Sequence, residues 1–186
     1  MTESLPRLPG RPRSQASRAA LLDAAYWQVV ERGYGAVTAE AIAAAAGAGK
    51  QTLYRWWPSK GRLVLTAFIA KARERIDRPR EAALRAGDVE KFLVADLAAA
   101  ASLLAALRFL LAEALTEPEL LAALRQDVFD PRAAALDAVL VRRVPDSRIR
   151  ASIVEAIEGA ILRRLYLGQP LDADFALRLA SLAKTS

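Results

Sequence analysis

Apolar residues recur every third or fourth position along almost the whole chain of 186 residues. Leu21, Ala25 and Val29 share one face of a first helix, which the pattern places from about residue 14. Gly33 follows as a typical C-terminal stop. We find no useful length of residue-by-residue alternation between apolar and polar positions, which would indicate a half-buried strand. The pattern therefore predicts an all-α fold.

Two short helices and a tight turn come next. Thr38 is a suitable N-cap for a helix over residues 39–46, and the glycine-rich residues 47–49 break that helix. A third helix is predicted over residues 50–57, where a proline ends it. A fourth helix, capped by a serine, is predicted over about residues 60–77. The N-terminal third of the chain thus contains a close-packed series of short helices.

The rest of the chain is predicted to be helical with interruptions. A linker is expected over residues 78–88, because a proline and a glycine both fall within it. Two helices follow up to about residue 115, Pro118 opens the next, and Pro131 interrupts it. The last two helices, which have the clearest pattern, are predicted over residues 148–167 and 172–183.

Composition removes several kinds of chemistry. The chain has no cysteine and no histidine, which excludes disulfides, thiolate or imidazole metal ligands, and His-dependent nucleophilic triads. The net charge is +6. Residues 1–62 contain nine Lys and Arg against four Asp and Glu, whereas residues 63–186 contain 18 against 17. A basic segment on a near-neutral body indicates a polyanionic partner for that segment.

The first 13 residues contain three prolines, three arginines and no apolar run. We therefore expect a flexible basic arm there, not a packed element or a secretory signal. The longest strongly apolar stretch, residues 97–107, has eleven residues. A helix that crosses a bilayer needs about 20. The expectation is a soluble, cytoplasmic protein.

The two helices around the turn at residues 47–49 have the spacing of a helix-turn-helix, whose second helix enters the DNA major groove. Leu53 and Trp57, four residues apart, share a face that can pack on the neighbouring helices. Glutamine can pair with adenine, lysine and arginine with guanine, and hydroxyl or indole donors suit phosphates. The remaining faces and the next helix start carry such donors: Lys50, Gln51, Thr52, Tyr54, Arg55, Trp56 and Lys60.

Gly33-Tyr34, Thr38 and the run over residues 42–60, with its Thr52-Leu53-Tyr54 triplet, fall in one register. This segment resembles the N-terminal signature of the TetR family of transcriptional regulators. The resemblance implies a DNA-binding repressor with a three-helix domain at residues 14–60 and a helical ligand-binding and dimerisation domain at residues 61–186. It implies a DNA-facing set of Thr38, Lys50, Gln51, Thr52, Tyr54, Arg55, Trp56 and Lys60. Many members have His or Tyr where Trp56 stands here.

The arm preceding the first helix also has a candidate role. Its Gly10-Arg11-Pro12-Arg13 segment resembles the arms that enter the minor groove, where arginine is favoured. Arg11 and Arg13 are therefore added to the predicted DNA-binding residues. Solubility alone is the alternative role for these two side chains.

The helix over residues 148–167 carries one ridge of apolar residues at four-residue spacing, with small residues beside it. With the last helix it predicts a four-helix interface between two chains, and the resemblance implies pairing through these two helices. Two recognition helices related by a two-fold axis predict a pseudo-palindromic operator. Packing within one chain is the alternative. The predicted interface residues are Ile149, Ile153, Ile157, Ala160, Ile161, Leu165, Phe175 and Leu179.

Residues 88–144 are rich in Ala and Leu and can line an apolar cavity. The resemblance implies that a small inducer binds in this region. Such a ligand releases DNA only if it prefers the arrangement that does not bind DNA. No cofactor and no metal are expected. The predicted ligand-binding residues are Phe92, Asp96, Leu103, Leu107, Arg108, Leu111 and Phe129.

Two other classes of function stay open from the residues alone. One is a helical small-ligand carrier without DNA binding. The other is an all-α enzyme that uses carboxylate pairs on Mg²⁺, such as Glu113 with Glu117 or Glu155 with Glu158. The intact register over residues 38–60 favours the regulator over both. Duplex binding with steep salt dependence distinguishes a regulator from them.

Overall fold

The computed structural model describes residues 12–101 and 104–184, and this part of the chain is helical without a strand. The all-α prediction is confirmed. The ten α-helices of the described residues are α1 Pro12–Arg32, α2 Ala39–Ala45, α3 Lys50–Trp56, α4 Lys60–Ala86, α5 Val89–Ala101, α6 Leu104–Ala114, α7 Pro118–Leu124, α8 Asp130–Leu140, α9 Ser147–Leu167 and α10 Ala173–Ser181.

The chain divides into two compact units between Ala67 and Phe68, within α4. The predicted boundary lay at residue 60. The first turns of α4 belong to the first unit because their apolar residues, including Leu63, are fully buried. In addition, the indole N–H of Trp57 donates to Thr66 Oγ1 at 3.0 Å. The first unit contains α1, α2, α3 and the start of α4.

The short helices of the first unit begin and end where the sequence predicts. Thr38 Oγ1 accepts a hydrogen bond from the amide of Ala41 at 3.1 Å, which satisfies one orphan donor of α2. Gly33 ends α1 with a φ of 81°, a left-handed conformation that glycine adopts without strain. The hydroxyl of Ser59 accepts from the amide of Arg62 at 3.2 Å and caps α4.

The expected linker at residues 78–88 is wrong over most of its length. Helix α4 continues through position 79 and ends only at Ala86, before Gly87 with a φ of 65°. A proline inside a helix costs about 3 kcal/mol, so later packing must offset it. Ala83 is buried in the core of the second unit. Arg80 also donates to the carbonyl of Pro131 at 3.3 Å, which holds the helix beyond the proline in place.

The predicted interruption near Pro131 is confirmed in a specific form. Residues Arg125–Phe129 form a π-helical turn between α7 and α8. The amide of Asp130 donates to the carbonyl of Arg125, five residues back. Proline has no amide hydrogen and its ring crowds the preceding turn, so a locally widened helix accommodates Pro131 near the start of α8.

The dimer interface that the sequence predicts on α9 and α10 is wrong for most of its residues. These side chains lie in the core of the second unit. Burial within one chain leaves those side chains no surface for a partner. Ile153 and Ala160 pack partly against the same core, and Ile149 is exposed. The buried residues of the predicted set are Ile157, Ile161, Leu165, Phe175 and Leu179.

A network of charged side chains crosses the second unit. Arg132 on α8 donates to Asp96 on α5 at 2.5 Å and to Glu158 on α9 at 2.7 Å. Arg80 Nη1 lies 3.9 Å from Asp96 Oδ1. Burial raises the pKa of Glu158 above its ordinary value, although Arg132 acts in the opposite direction. Two arginines and two carboxylates thus balance in charge and join four helices.

Within residues 12–101 and 104–184, no single helix is long and apolar enough to cross a bilayer. The pair Val89–Ala101 and Ala106–Ala114 has the length and composition when the two are combined, but it is bent by 82°.

Replacing Arg132 tests how much the charge network contributes to the free energy of unfolding. Arg132→Met leaves the buried Asp96 and the partly buried Glu158 without their common partner, which should lower the free energy of unfolding by about 3–5 kcal/mol. Urea denaturation measures the loss. Arg125→Met is the matched control, because Arg125 pairs with Asp130 on the surface and such pairs contribute little. Equal stability of the two variants would show that the network does not stabilise the second unit.

Candidate nucleic-acid interface

The helix-turn-helix of the first unit consists of α2, a turn at residues 46–49, and α3. The amide of Ala48 donates to the carbonyl of Ala43 at 2.9 Å, and Gly47 adopts a φ of 61°. These contacts close α2 with a left-handed glycine, a common way for a helix to end. The amide of Thr52 then donates to the carbonyl of Gly49 at 2.9 Å as α3 begins. The turn therefore has a defined geometry.

The two faces of α3 are arranged as the sequence predicts. Leu53 is fully buried and Trp57, just after the helix, is 4% exposed. Gln51, Tyr54 and Arg55 are exposed, and Thr52 is half-buried. The apolar positions thus anchor the helix, whereas its donors for bases and phosphates stay accessible. That these donors bind DNA remains a prediction.

Lys50 does not stand free at the start of α3. Its ammonium forms an ion pair with the carboxylate of Glu40 in the first turn of α2. Its Nζ also lies 5.7 Å from the centre of the Tyr54 ring. The sequence predicts a role for Lys50 but does not reveal that Glu40 is its partner. A residue ten positions away, across the turn, gives no periodic signal that would reveal the contact.

Arg18 on α1 is a second residue that the sequence analysis missed. Its guanidinium lies 5.9 Å from the Trp56 ring and 5.5 Å from the Trp57 ring. Trp56 is 40% exposed, which keeps its indole N–H compatible with a phosphate contact. Cation–π contacts hold an arginine in place while leaving its N–H donors available. Arg18 therefore adds a fixed positive charge near the end of α3.

The ammonium of Lys60, which is predicted to contact a phosphate, is directed toward the protein. Its ammonium donates to the carbonyls of Tyr34 and Val37, both at 3.1 Å. It also lies 3.9 Å from the centre of the Tyr34 ring. Lys60 thus fixes the turn that precedes the N-cap Thr38. The ammonium has three donors, so one remains for a phosphate.

Gln28 connects α1 to α2 inside the first unit. The side chain is buried, and its Nε2 donates to the carbonyl of Ala41 at 3.0 Å. Its Oε1 is buried and accepts no hydrogen bond from the described residues. A polar residue within an apolar face is easily read as part of a solvated surface, which is why the sequence analysis did not select it.

The structure does not describe three of the side chains that the sequence predicts to bind DNA or ligand. Arg11, the side chain of Arg13, and Leu103 lie outside the described residues. Their assignments to the DNA-binding arm and to the ligand-binding set therefore stay predictions.

The remaining ligand-binding residues do not form one exposed set. Phe92 is buried in the core, and Leu107, Leu111 and Phe129 are half-buried. Asp96 is a correction: its carboxylate is already paired with arginines and is not free for a ligand. Arg108 is exposed and close to the end of α9. A Cβ at Gly168 would lie 3.2 Å from Arg108 Nη1.

Comparison with known proteins decides the family. The model of the bacterial regulatory proteins of the tetR family matches residues 21–67, which include α2 and α3. The DNA-binding transcriptional repressor TetR of Mycobacteroides abscessus is 30% identical over 177 residues, covering 90% of this chain and 91% of that protein. The chain belongs to the TetR family. The resemblance found in the motif is confirmed.

One further relative and one solved structure are also similar to this chain. The uncharacterized HTH-type transcriptional regulator YdeS of Bacillus subtilis is 39% identical over 70 residues. That match covers 38% of this chain and spans 35% of the length of YdeS. The crystal structure of the TetR family transcription regulator SCO0332 superposes with a TM-score of 0.70 at 28% identity. It covers 91% of this chain and 98% of that one.

Family membership sets general expectations for this TetR-family chain. TetR-family regulators bind DNA, typically dimerise and bind small ligands, and are generally not enzymes. Among the described residues, no group of three or more carboxylates is placed to hold a metal ion. The surface of α3 is therefore the place to test function.

Replacing Tyr54 tests whether its side chain contributes to DNA binding and not to stability. Tyr54→Ala should weaken binding to the duplex that the wild type selects by about tenfold or more, the cost of one lost contact to DNA. The thermal midpoint should hardly change, because the ring is 42% exposed. Leu53→Ala is the control: it empties a fully buried site and should cost about 2–5 kcal/mol of stability. A comparable loss of stability in Tyr54→Ala would make Tyr54 a packing residue.

Proposed function

We propose that this protein is a sequence-specific transcriptional regulator that binds a pseudo-palindromic operator as a homodimer. The observation that carries the proposal is the two-sided character of α3. Leu53 and Trp57 are buried, whereas Gln51, Tyr54 and Arg55 project to solvent. An exposed row of donors on the second helix of a helix-turn-helix is suited to the major groove.

The donors divide into two kinds by their chemistry. The Gln51 amide offers one donor group and one acceptor, and the Arg55 guanidinium offers paired donors. Both can therefore read base edges, and Lys50 can read guanine. Phosphate contacts, which position the protein without specifying sequence, suit hydroxyl, indole and fixed cationic groups. To the minor groove we assign Arg11, which precedes α1, and Arg13, which lies in the first turn of α1. The groups assigned to phosphates are Thr38, Thr52, Tyr54, Trp56, the third donor of Lys60, and Arg18.

Selection from a random duplex pool tests the proposal directly. At near-physiological salt, the protein should enrich a two-fold symmetric motif with half-sites about one DNA turn apart. The affinity for that motif should fall steeply with salt, because bound lysines and arginines release counterions. If selection enriches no motif, and binding to all duplexes is weak, the protein is not a sequence-specific regulator.

The outer face of α9 is the surface on which we propose that two chains pair. This face, composed of Ser152, Ala156, Gly159, Leu162 and Tyr166, points away from the core that holds Ile157. Tyr166 is 76% exposed, and a Cβ at Gly159 would meet no atom within 4 Å. Glycine inside a helix costs about 1 kcal/mol relative to alanine. No atom of the described residues requires that cost, whereas close approach of a second helix would.

Ala156→Arg tests this interface. The new side chain would point to solvent in a single chain but would obstruct a partner helix. Light scattering should therefore report folded monomers, with weaker operator binding because both half-sites must be held. Ile157→Ala is the comparison, since it should destabilise the fold by about 2–5 kcal/mol. An intact dimer of Ala156→Arg would place the interface elsewhere.

We further propose that the protein acts in the cytoplasm as a repressor which a small apolar ligand releases from DNA. Family membership and the half-buried Leu107, Leu111 and Phe129 of the second unit support this role. The ligand must bind more tightly to the form without DNA, since a ligand with equal affinity for both forms shifts nothing.

A further inference from the structure

Glu40 is an isolated negative charge in the helix-turn-helix. Between Gly33 and Ala67 the sequence contains four Lys and Arg and no acidic residue besides Glu40. Its carboxylate is exposed and holds the ammonium of Lys50, which is 55% exposed. A carboxylate on a surface that must approach phosphates opposes binding to DNA of any sequence. Its position therefore needs an explanation beyond affinity.

The ion pair fixes where Lys50 can reach. Lys50 is the first residue of α3, and a free lysine there can swing on four methylenes to any nearby phosphate. Glu40 and the Tyr54 ring confine the ammonium, whose Nζ lies 5.7 Å from the ring centre. The hydrogen bond from Lys50 lowers the pKa of Glu40, and the same contact raises the pKa of Lys50. Both groups are thus held in their charged forms.

We propose that Glu40 is a specificity-determining residue, which holds Lys50 at the N-terminal end of the recognition helix for a base contact and withholds it from phosphates. The inference rests on the proposed DNA-binding function. Carboxylate pairing occupies one of the three ammonium donors, and the O6 and N7 atoms of a guanine can accept from the others. In a non-specific complex, a phosphate must compete with Glu40 for Lys50.

The expected effect is modest, because an exposed ion pair changes an equilibrium constant by about fivefold at most. Glu40→Gln keeps the shape of the side chain and removes its charge. Non-specific affinity should rise about two- to fivefold, since Lys50 is released and a repulsive charge disappears. The slope of log K against log salt should steepen by about 0.9 for one added phosphate contact.

The experiment compares two probes: the duplex that the wild type enriches from a random pool, and a scrambled duplex of the same length and composition. Glu40→Gln should bind the scrambled duplex more tightly without a matching gain on the enriched one. The ratio of the two affinities should therefore fall about threefold or more. The selection is then repeated with both variants. Lys50→Gln should abolish the preference for guanine at one position of the motif, and Glu40→Gln should weaken the preference at that same position.

Two controls separate this role from a general charge effect. Glu31→Gln on α1 makes the same change in net charge at an exposed site away from the turn. In a Lys50→Gln background, Glu40→Gln should no longer steepen the salt slope, as a double-mutant cycle requires. The inference is overturned if Glu40→Gln and Glu31→Gln lower the affinity ratio equally, or if the change persists without Lys50. If the wild type enriches no duplex, the proposed function itself fails.

Discussion

A helix of seven residues is not stable alone in water, so α3 depends on the burial of Leu53 and Trp57. These two side chains, four positions apart, fix which face of the helix is turned inward. The hydrogen bond from the Trp57 indole to Thr66 then ties the end of α3 to α4. Every exposed donor of α3 takes its direction from this anchoring. The packing of Leu53 and Trp57 thus also determines which side chains of α3 are exposed to a ligand.

The two units of the chain use charge in opposite ways. In the first unit, two cations are held by uncharged groups: the backbone carbonyls around Lys60 and the indole rings beside Arg18. A cation held in this way keeps its charge for a polyanion. In the second unit, Asp96, Arg132 and Glu158 satisfy one another away from water. There the charge balance joins helices and leaves little net field.

The outer face of α9 carries residues that lower the stability of a single chain, and this cost indicates that a second chain packs there. An exposed glycine in mid-helix lowers helix stability, and no neighbouring atom among the described residues explains Gly159. Exposed Leu162 and Tyr166 on the same face add apolar surface that water hydrates poorly. Both features become favourable when a second helix packs there. The buried ridge of Ile157 and Ile161 on the opposite side already has its partners within the chain.

The sequence by itself determined the features that local chemistry controls. The Thr38 cap and the glycine turn after α2 specify where the helices of the helix-turn-helix begin and end, and the four-residue spacing of Leu53 and Trp57 specifies the apolar face of α3. Tertiary structure decided the rest. Periodicity shows that α9 has apolar positions but cannot say which belong to the core, because Ile157 and Leu162 are equally apolar. Likewise, only the fold brings Arg132 to Asp96 and Glu40 to Lys50, since such pairs depend on how helices pack and not on their spacing along the chain.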